Sequence, residues 1–338
     1  MKRFVTSIVL VLTALSCDTQ PKLVVLSGQA LGTGYQVQFY ANERFDVAHK
    51  FDSTIAAINK SMSTYQPDSD ISKINAGDTS VVVDAMFKEV LELSRTVYKA
   101  TNGVYDPTVG ILVNAYGFGP EKPLEQLDSV TLDSLKNYVG LDKIKISPQG
   151  KIQKDNKAVY LDFNSIAKGY CIDRIGKMLE ENGVDNYLIE LGGELLARGQ
   201  NLDKNQEWRV GIENINAPVT DRDYTEAVSL LNKGMAGSGN YRKFRIDSIT
   251  GQRFVHTVNP ITGLAEKSDV LSATVIANSC AKADAFATAF MALGYEKSKA
   301  VLNEIDGVDA YLMYTRTAED SVQVYMSESF KTYLVEAN

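Results

Sequence analysis

The run Leu161 to Arg174, LDFNSIAKGYCIDR, decides how this chain reads. Val159, Leu161 and Phe163 alternate and predict a strand, with Asn164 or Ser165 as the expected N-cap of a following helix. Lys168 then falls in the first helical turn. A cation there opposes the positive end of the helix dipole, at a cost of about 0.3–1 kcal/mol, unless an anion lies in front of it. Two readings stay open for this lysine: a surface side chain, solvated or paired with Asp162, or a cation set beside a phosphate at a helix N-terminus.

Downstream, Tyr187 to Leu191 predicts a strand broken by Gly192-Gly193 before Glu194, and Trp208 to Ile212 alternates as another. From Met235 to Arg242 the pattern is hairpin-like, followed by strands Lys243 to Ile246 and Arg253 to Val258, a turn at Gly251 between them, and the turn Asn259-Pro260-Ile261-Thr262-Gly263. His256 stands in the last of these strands, where a structural and a chemical role are both open. A strand from Ala273 to Ala277 leads into a helix whose buried stripe is Phe286, Phe290 and Leu293, with Gly294 as the stop. Asp284 and Thr288, four apart, project from one side of it. They suit a hard cation; equally, Thr288 could bond back to a helix carbonyl and Asp284 serve the helix start.

Upstream, Val47, Phe51, Ile55, Ile58 and Met62 predict a helix over Arg44 to Met62, with His49 off the stripe and solvated. A polar turn spans residues 63–70, with Ser69 or Asp70 capping a short helix through Asn75; Tyr65 at its edge is either a ring free to stack or a half-buried tyrosine. A second helix, about Asp84 to Thr101, stops at Asn102-Gly103. Asp106-Pro107 forces a bend that is expected to leave the carboxylate exposed at a corner. Residues 119–140 read as an insertion carrying a short helix with Leu132, Leu135 and Val139. Leu31-Gly32-Thr33-Gly34-Tyr35 is a glycine-rich corner, not a nucleotide fingerprint, and neither GxGxxG nor a P-loop occurs in the chain.

A net charge of −7 over 338 residues argues against a nucleic-acid binder. An acidic protein that handles an anionic ligand needs local positive groups or a metal. Lys2 and Arg3, the apolar run Ile8 to Leu15 and then Ser16-Cys17 predict a secretory signal over residues 1–16, too short to span a bilayer. Ser16-Cys17 resembles a bacterial lipobox, with Ala14 where leucine is usual; lipidated Cys17 would open a tether over 17–27, with the domain at 28–338. Asp18 after it would, in some bacteria, favour the inner membrane. Cys171 and Cys280 are expected to be buried free thiols, and two histidines with these cysteines make no zinc spacing. Hairpin strands mixed with amphipathic helices predict an α+β fold, mainly antiparallel sheet with helices packed on it.

Eight segments in order resemble the bacterial ApbE family of flavin transferases: LGTGY at 31–35, MSTYQPDSDISKIN at 62–75, YDPTVGILVNAYGFG at 105–119, LDFNSIAKGYCIDR, ELGGELLARG at 190–199, SGNYR at 238–242, HTVNPITG at 256–263 and ADAFATAFMALG at 283–294. Leu31 stands where methionine is common and Tyr116 where tryptophan is. The resemblance implies a single two-lobed body with FAD in the cleft. It implies that Leu31, Tyr65, Val104, Tyr105, Asp106, Asp162, Lys168 and His256 line the nucleotide site, Tyr65 near the flavin. It implies magnesium held by the Asp284 carboxylate, the Thr288 hydroxyl and the Ser165 carbonyl. The implied reaction is attack by a threonine hydroxyl of an acceptor protein on the FMN-side phosphorus of FAD, AMP leaving and FMN staying as a phosphoester. Lys168 would then stabilise charge on AMP, and His256 suits a general base, a role Asp106 or Asp162 could share. Implied acceptors carry Asp, two small residues and Thr, as in subunits of Nqr/Rnf-type respiratory complexes, met on the periplasmic side of the inner membrane by a lipid-anchored enzyme. Leu271-Ser272-Ala273-Thr274 lacks the acid, so the chain is not expected to flavinylate itself there. The same site with water as nucleophile would be an FAD pyrophosphatase, and without turnover a periplasmic flavin-binding protein.

Overall fold

The computed structural model describes residues 20–42, 46–124, 127–215, 217, 223–239, 244–246, 253–265, 268–317 and 320–336. The predicted signal segment with Cys17, Arg44 at the expected start of the first helix, and Asn240 to Lys243 and Gly251 in the hairpin region lie outside the described residues.

The chain opens with the hairpin β1 (Lys22–Ala30) and β2 (Thr33–Ala41), so residues 22–27, expected as tether, belong to a strand paired along its whole length. Helices α1 (Val47–Met62), α2 (Asp70–Asn75), α3 (Ala85–Ala100), α4 (Gly110–Ala115) and α5 (Ser129–Lys136) follow. Four of them start on a side-chain cap: Asp46, Ser69, Asp84 and Asp128 each accept a hydrogen bond from an amide three residues on. His49 is exposed, as its position off the apolar stripe predicts. After the ribbon β3 (Ile144–Ile146) and β4 (Ile152–Lys154) come α6 (Ala167–Glu180), β5 (Tyr187–Leu191), β6 (Glu194–Arg198), β7 (Gln200–Asn201), β8 (Gln206–Glu213), β9 (Tyr224–Leu230), β10 (Lys233–Gly239), β11 (Phe244–Ile246) and β12 (Arg253–Val255). The chain ends with β13 (Val270–Ala277), α7 (Cys280–Leu293), α8 (Tyr295–Glu304), β14 (Val308–Tyr314), β15 (Gln323–Met326) and β16 (Leu334–Val335).

Eight strands, in the order β1-β2-β5-β6-β10-β13-β14-β15, form one sheet in which every neighbouring pair is antiparallel. One face carries the helices, with Phe39, Phe51, Phe87, Phe163, Ile172, Phe286 and Phe290 in a common core. The other face is covered by the sheet β16-β9-β8-β7, with Trp208, Val228 and Leu230 against Tyr40, Met235 and Ile276. A smaller cluster of Leu112, Tyr116, Val139, Val258 and Ala265 ties α4 and the neighbourhood of α5 to the segment after β12. The fold is α+β with antiparallel sheets, as expected.

The expected strand through Leu161 is absent. Val159, Leu161 and Phe163 are buried, and so is Asp162 between them, but Leu161 exchanges both its amide and its carbonyl bond with the Asn75 side chain, each at 2.8 Å. The Asp162 amide donates to the Pro107 carbonyl at 2.7 Å. An asparagine thus replaces a strand partner, and the period-two pattern reports burial rather than sheet pairing. The strand expected through Val258 ends at Val255.

Candidate active site

Helices α6 and α7 meet at their first turns. Gly169 stands at the contact: a Cβ there would lie 2.5 Å from the Cys280 carbonyl oxygen and 2.8 Å from the Ala281 Cα. Only glycine allows this approach. Across it, the Gly169 amide donates to Asp284 Oδ2 at 3.0 Å, while the Cys280 and Ala281 amides donate to the two carboxylate oxygens of Asp173 at 2.8 and 2.9 Å. Each helix supplies a carboxylate that caps the other. Neither Asn164 nor Ser165, the expected caps, fills that role for α6: its N-cap position is Ile166, without a side-chain hydrogen bond. Asp284, buried in the middle of α7, serves the start of α6 rather than of its own helix.

Lys168, the second residue of α6, is paired with Glu194 and not with Asp162. Glu194 opens β6 directly after Gly192 and Gly193, whose φ values of 64° and 100° make the tight turn that brings the acid back over α6. Its side chain is 4% exposed, and Oε2 has no hydrogen-bond partner among the described residues. Burial raises the Glu194 carboxyl above the usual range against the pull of Lys168. Burial opposes the Lys168 charge, but Glu194 and Asp284 outweigh it and raise its pKa. The Asp284 carboxyl is pushed up to about 8, first by burial and then by the Glu194 charge. Two buried carboxylates thus face one ammonium, a group short of positive charge.

Five other predicted residues, Ser165, Tyr105, Asp162, Thr288 and Tyr65, are linked to this centre or to one another. The Ser165 hydroxyl donates to the Tyr105 hydroxyl at 3.2 Å; the Tyr105 phenol is lifted by burial, relieved by the serine, and lifted further by Asp284 and Asp162. Asp162 is buried and accepts the Asn164 amide at 2.7 Å; burial raises its pKa. Thr288 lies one turn beyond Asp284, half-buried, and makes no hydrogen bond back to a helix carbonyl among the described residues. Tyr65 is 61% exposed rather than half-buried, and its hydroxyl is raised by partial burial and by Asp162. Its ring is therefore available beside the acid.

The other four predicted residues are Asp106, Val104, Leu31 and His256. Asp106 is buried, not exposed at its corner: it accepts from the Thr108 amide at 2.7 Å, the Thr108 hydroxyl at 2.6 Å and the Leu141 amide at 3.0 Å. The bend before Pro107 turns this carboxylate inward as the brace of the loop that meets Asp162. Val104 is buried. Leu31, at φ 49°, forms the β1–β2 turn; beside it Thr33 lies against Gly192, next to the turn that carries Glu194. His256 is half-buried just past β12, on a segment pinned to α4 by Val258 and by the Tyr116 hydroxyl donating to the Gly263 carbonyl at 3.1 Å. Spacing alone does not mark Glu194 or Asp173. Their signals were slight: an acid directly after a double glycine, and an acid one helical turn beyond Gly169.

Among the described residues no three His, Cys, Asp or Glu side chains are arranged for a metal. The donors at hand are oxygens of mixed kind, a carboxylate at Asp284, a hydroxyl at Thr288 and the backbone at Ser165, and the shortage of positive charge fits a hard cation. A family model described as the ApbE family matches residues 31–312. The chain belongs to the ApbE family. It is 34% identical over 330 residues to the FAD:protein FMN transferase of Haemophilus influenzae, covering 93% of each chain. To the enzyme of the same name from Vibrio cholerae it is 31% identical over 343 residues, covering 99% of each. The solved flavin transferase ApbE from Vibrio cholerae superposes with a TM-score of 0.80 at 29% identity, over 93% of this chain and 100% of that one. The apo flavinyl transferase ApbE of Pseudomonas stutzeri also gives 0.80, at 27% identity, over 94% and 99%. Every ApbE-motif residue described above, from Leu31 to Thr288, falls inside the matched span, and Cys17 precedes it.

Proposed function

We propose that this ApbE-family chain is an FAD:protein FMN transferase, which moves FMN from FAD to a threonine hydroxyl of an acceptor protein. The observation that carries the reading is the single site at the α6–α7 contact, where a lysine at a helix mouth meets a buried carboxylate short of counter-charge. The threonine oxygen bonds to the FMN-side phosphorus, the bond from that phosphorus to the bridging oxygen breaks, and AMP leaves with the bridging oxygen. Such chemistry asks a protein mainly for positioning and charge neutralisation.

Lys168, in the first turn of α6, faces the phosphates, where the lysine's unfavourable position on the helix dipole becomes favourable. Tyr65 stacks on the flavin side, with Asp162 and Tyr105 behind it. His256 takes the proton of the acceptor hydroxyl. Asp284, Thr288 and the Ser165 carbonyl hold magnesium, which when bound supplies charge neutralisation at the pyrophosphate. The acceptor presents Asp, two small residues and Thr, as in Nqr/Rnf-type respiratory subunits. Thr274 lies buried in β13 without that acid, which supports a target in another protein. The lipobox-like Ser16-Cys17 supports a lipid anchor on the periplasmic side of the inner membrane.

Incubation with FAD and magnesium, with and without an acceptor peptide, tests the reading. The expected result is an FMN-sized adduct on the peptide threonine with equimolar AMP. Rapid release of free FMN and AMP without acceptor would replace it by the pyrophosphatase.

A further inference from the structure

We infer that Glu194 is a positioning residue: its carboxylate aims the Lys168 ammonium so that the lysine meets the pyrophosphate of the dinucleotide in one orientation. The inference rests on the proposed function and adds to it a residue in a specific role. Lys168 has a long, flexible stem, and a third of its side chain is exposed. Left alone, such a side chain would sample many rotamers at the helix mouth. Glu194 fixes it from a rigid base. It starts a central strand, is paired with Leu191 across the two-residue turn, and the amide of Gly193 is held by the Glu190 carboxylate at 2.8 Å.

The pairing is a poor device for folding. Glu194 stays almost fully buried with one oxygen unpartnered among the described residues. A neutral residue would suit the core better. As a device for binding an anion it makes sense. An ammonium has three N–H donors. One goes to Glu194 Oε1 and, among the described residues, the other two are unused, which leaves a fixed pair of donors for two phosphate oxygens.

Four proteins test this: Glu194→Gln, Glu194→Ala, Lys168→Ala and the double variant Lys168→Ala with Glu194→Ala, each compared with the native chain. FAD affinity is read by flavin fluorescence, transfer by kcat and KM, and stability by urea unfolding. Loss of an orienting partner should lower kcat by about 10–100-fold. FAD should bind no more weakly, because a negative charge beside an anionic ligand has gone, and any fall in the unfolding midpoint from stranding Lys168 should disappear in the double variant, unlike the loss of kcat. Glu194→Gln should lose less than Glu194→Ala, since its amide oxygen still accepts from Lys168. In the Lys168→Ala background, Glu194→Ala should lower kcat no further. A fall in FAD affinity that parallels kcat would mark a merely structural residue and overturn the inference, as would an equal loss in both backgrounds. If the native chain binds FAD but neither transfers nor hydrolyses it, the proposed function fails; Glu194 is then judged on FAD affinity, where strictly additive effects at residues 168 and 194 would overturn its role.

Discussion

The Gly169 amide and the Asp284 carboxylate meet at 3.0 Å across the contact of α6 and α7. The bond closes the N-terminus of α6 and, by the same geometry, brings an acid from α7 beside Lys168. Asp173 returns the favour to the first two amides of α7. Two helices 100 residues apart in the chain are thereby locked at the place where the chemistry is proposed, so damage to the contact should reach both stability and activity.

Gly169→Ala is the direct probe. The new methyl would stand 2.5–2.8 Å from backbone atoms of Cys280 and Ala281, which no rotamer change can relieve. Overpacking of this kind costs about 1–3 kcal/mol. Urea unfolding should show that loss, and flavin transfer should fall with it as Asp284 separates from α6. An unchanged midpoint would mean that the helices slide apart freely.

Asp173 and Asp106 predict an unusual pH dependence. Burial pushes each up to about 6 from an ordinary 3.8, against the amide bonds each accepts. Asp173 faces the Cys171 and Cys280 thiols, whose own pKa values are raised, and the Tyr187 phenol, all neutral in this range, besides Asp284; Asp106 faces Asp142. Between pH 4 and 6 the folded chain keeps protons that the unfolded chain has released, so these groups make stability fall as pH rises through that window. The effect is at most about 3 kcal/mol for each. Unfolding free energy measured at pH 4.5 and pH 7 should drop more steeply for the native chain than for Asp173→Asn or Asp106→Asn, and equal slopes would contradict the raised values.

Much of this arrangement was legible in the sequence, for reasons that differ residue by residue. Helix starts at Asp84 and Ser69 were visible because a cap is a local hydrogen bond between residues close in the chain. The α6 start was misplaced because its cap is Asp284, whose distance in sequence hides it. The apolar alternation through Leu161 predicts a strand that does not form, because the pattern of apolar side chains cannot say whether the backbone bonds to a strand or to the Asn75 amide. Asp106 was placed outside because Pro107 dictates a bend and not its direction. The role of Glu194 is hidden for a similar reason: a double glycine announces a turn, while the lysine it delivers the acid to lies on another element.

Tyr65→Ala should separate binding from folding. At 61% exposure the ring contributes little to the core, so the unfolding free energy should stay within about 0.5 kcal/mol of native. Stacking of an aromatic ring on a planar ligand is worth about 1–3 kcal/mol. FAD affinity should therefore fall by roughly tenfold or more, with Tyr65→Phe close to native. An affinity unmoved by Tyr65→Ala would place the flavin elsewhere.

Divalent ions should act on this protein through Asp284 and Thr288 in distinguishable ways. The Asp284 carboxylate is the only full charge among the proposed donors and also caps α6, so Asp284→Ala should abolish binding of magnesium or manganese and lower stability together. Thr288 makes no bond within its helix, so Thr288→Val should leave the metal-free fold within about 0.5 kcal/mol of native while weakening the ion by roughly tenfold. Calorimetric titration of chelator-treated protein measures the affinity, and thermal unfolding gives a second reading, because an ion at 100 times its Kd should add about 2.7 kcal/mol to the native chain. Because the ion would lie beside two buried carboxylates that now share one ammonium, the stabilisation should exceed that seen with an added monovalent salt of equal ionic strength. Equal effects of the two salts would mean that the shortage of charge is met by general screening and that no built cation site exists at the α6–α7 contact.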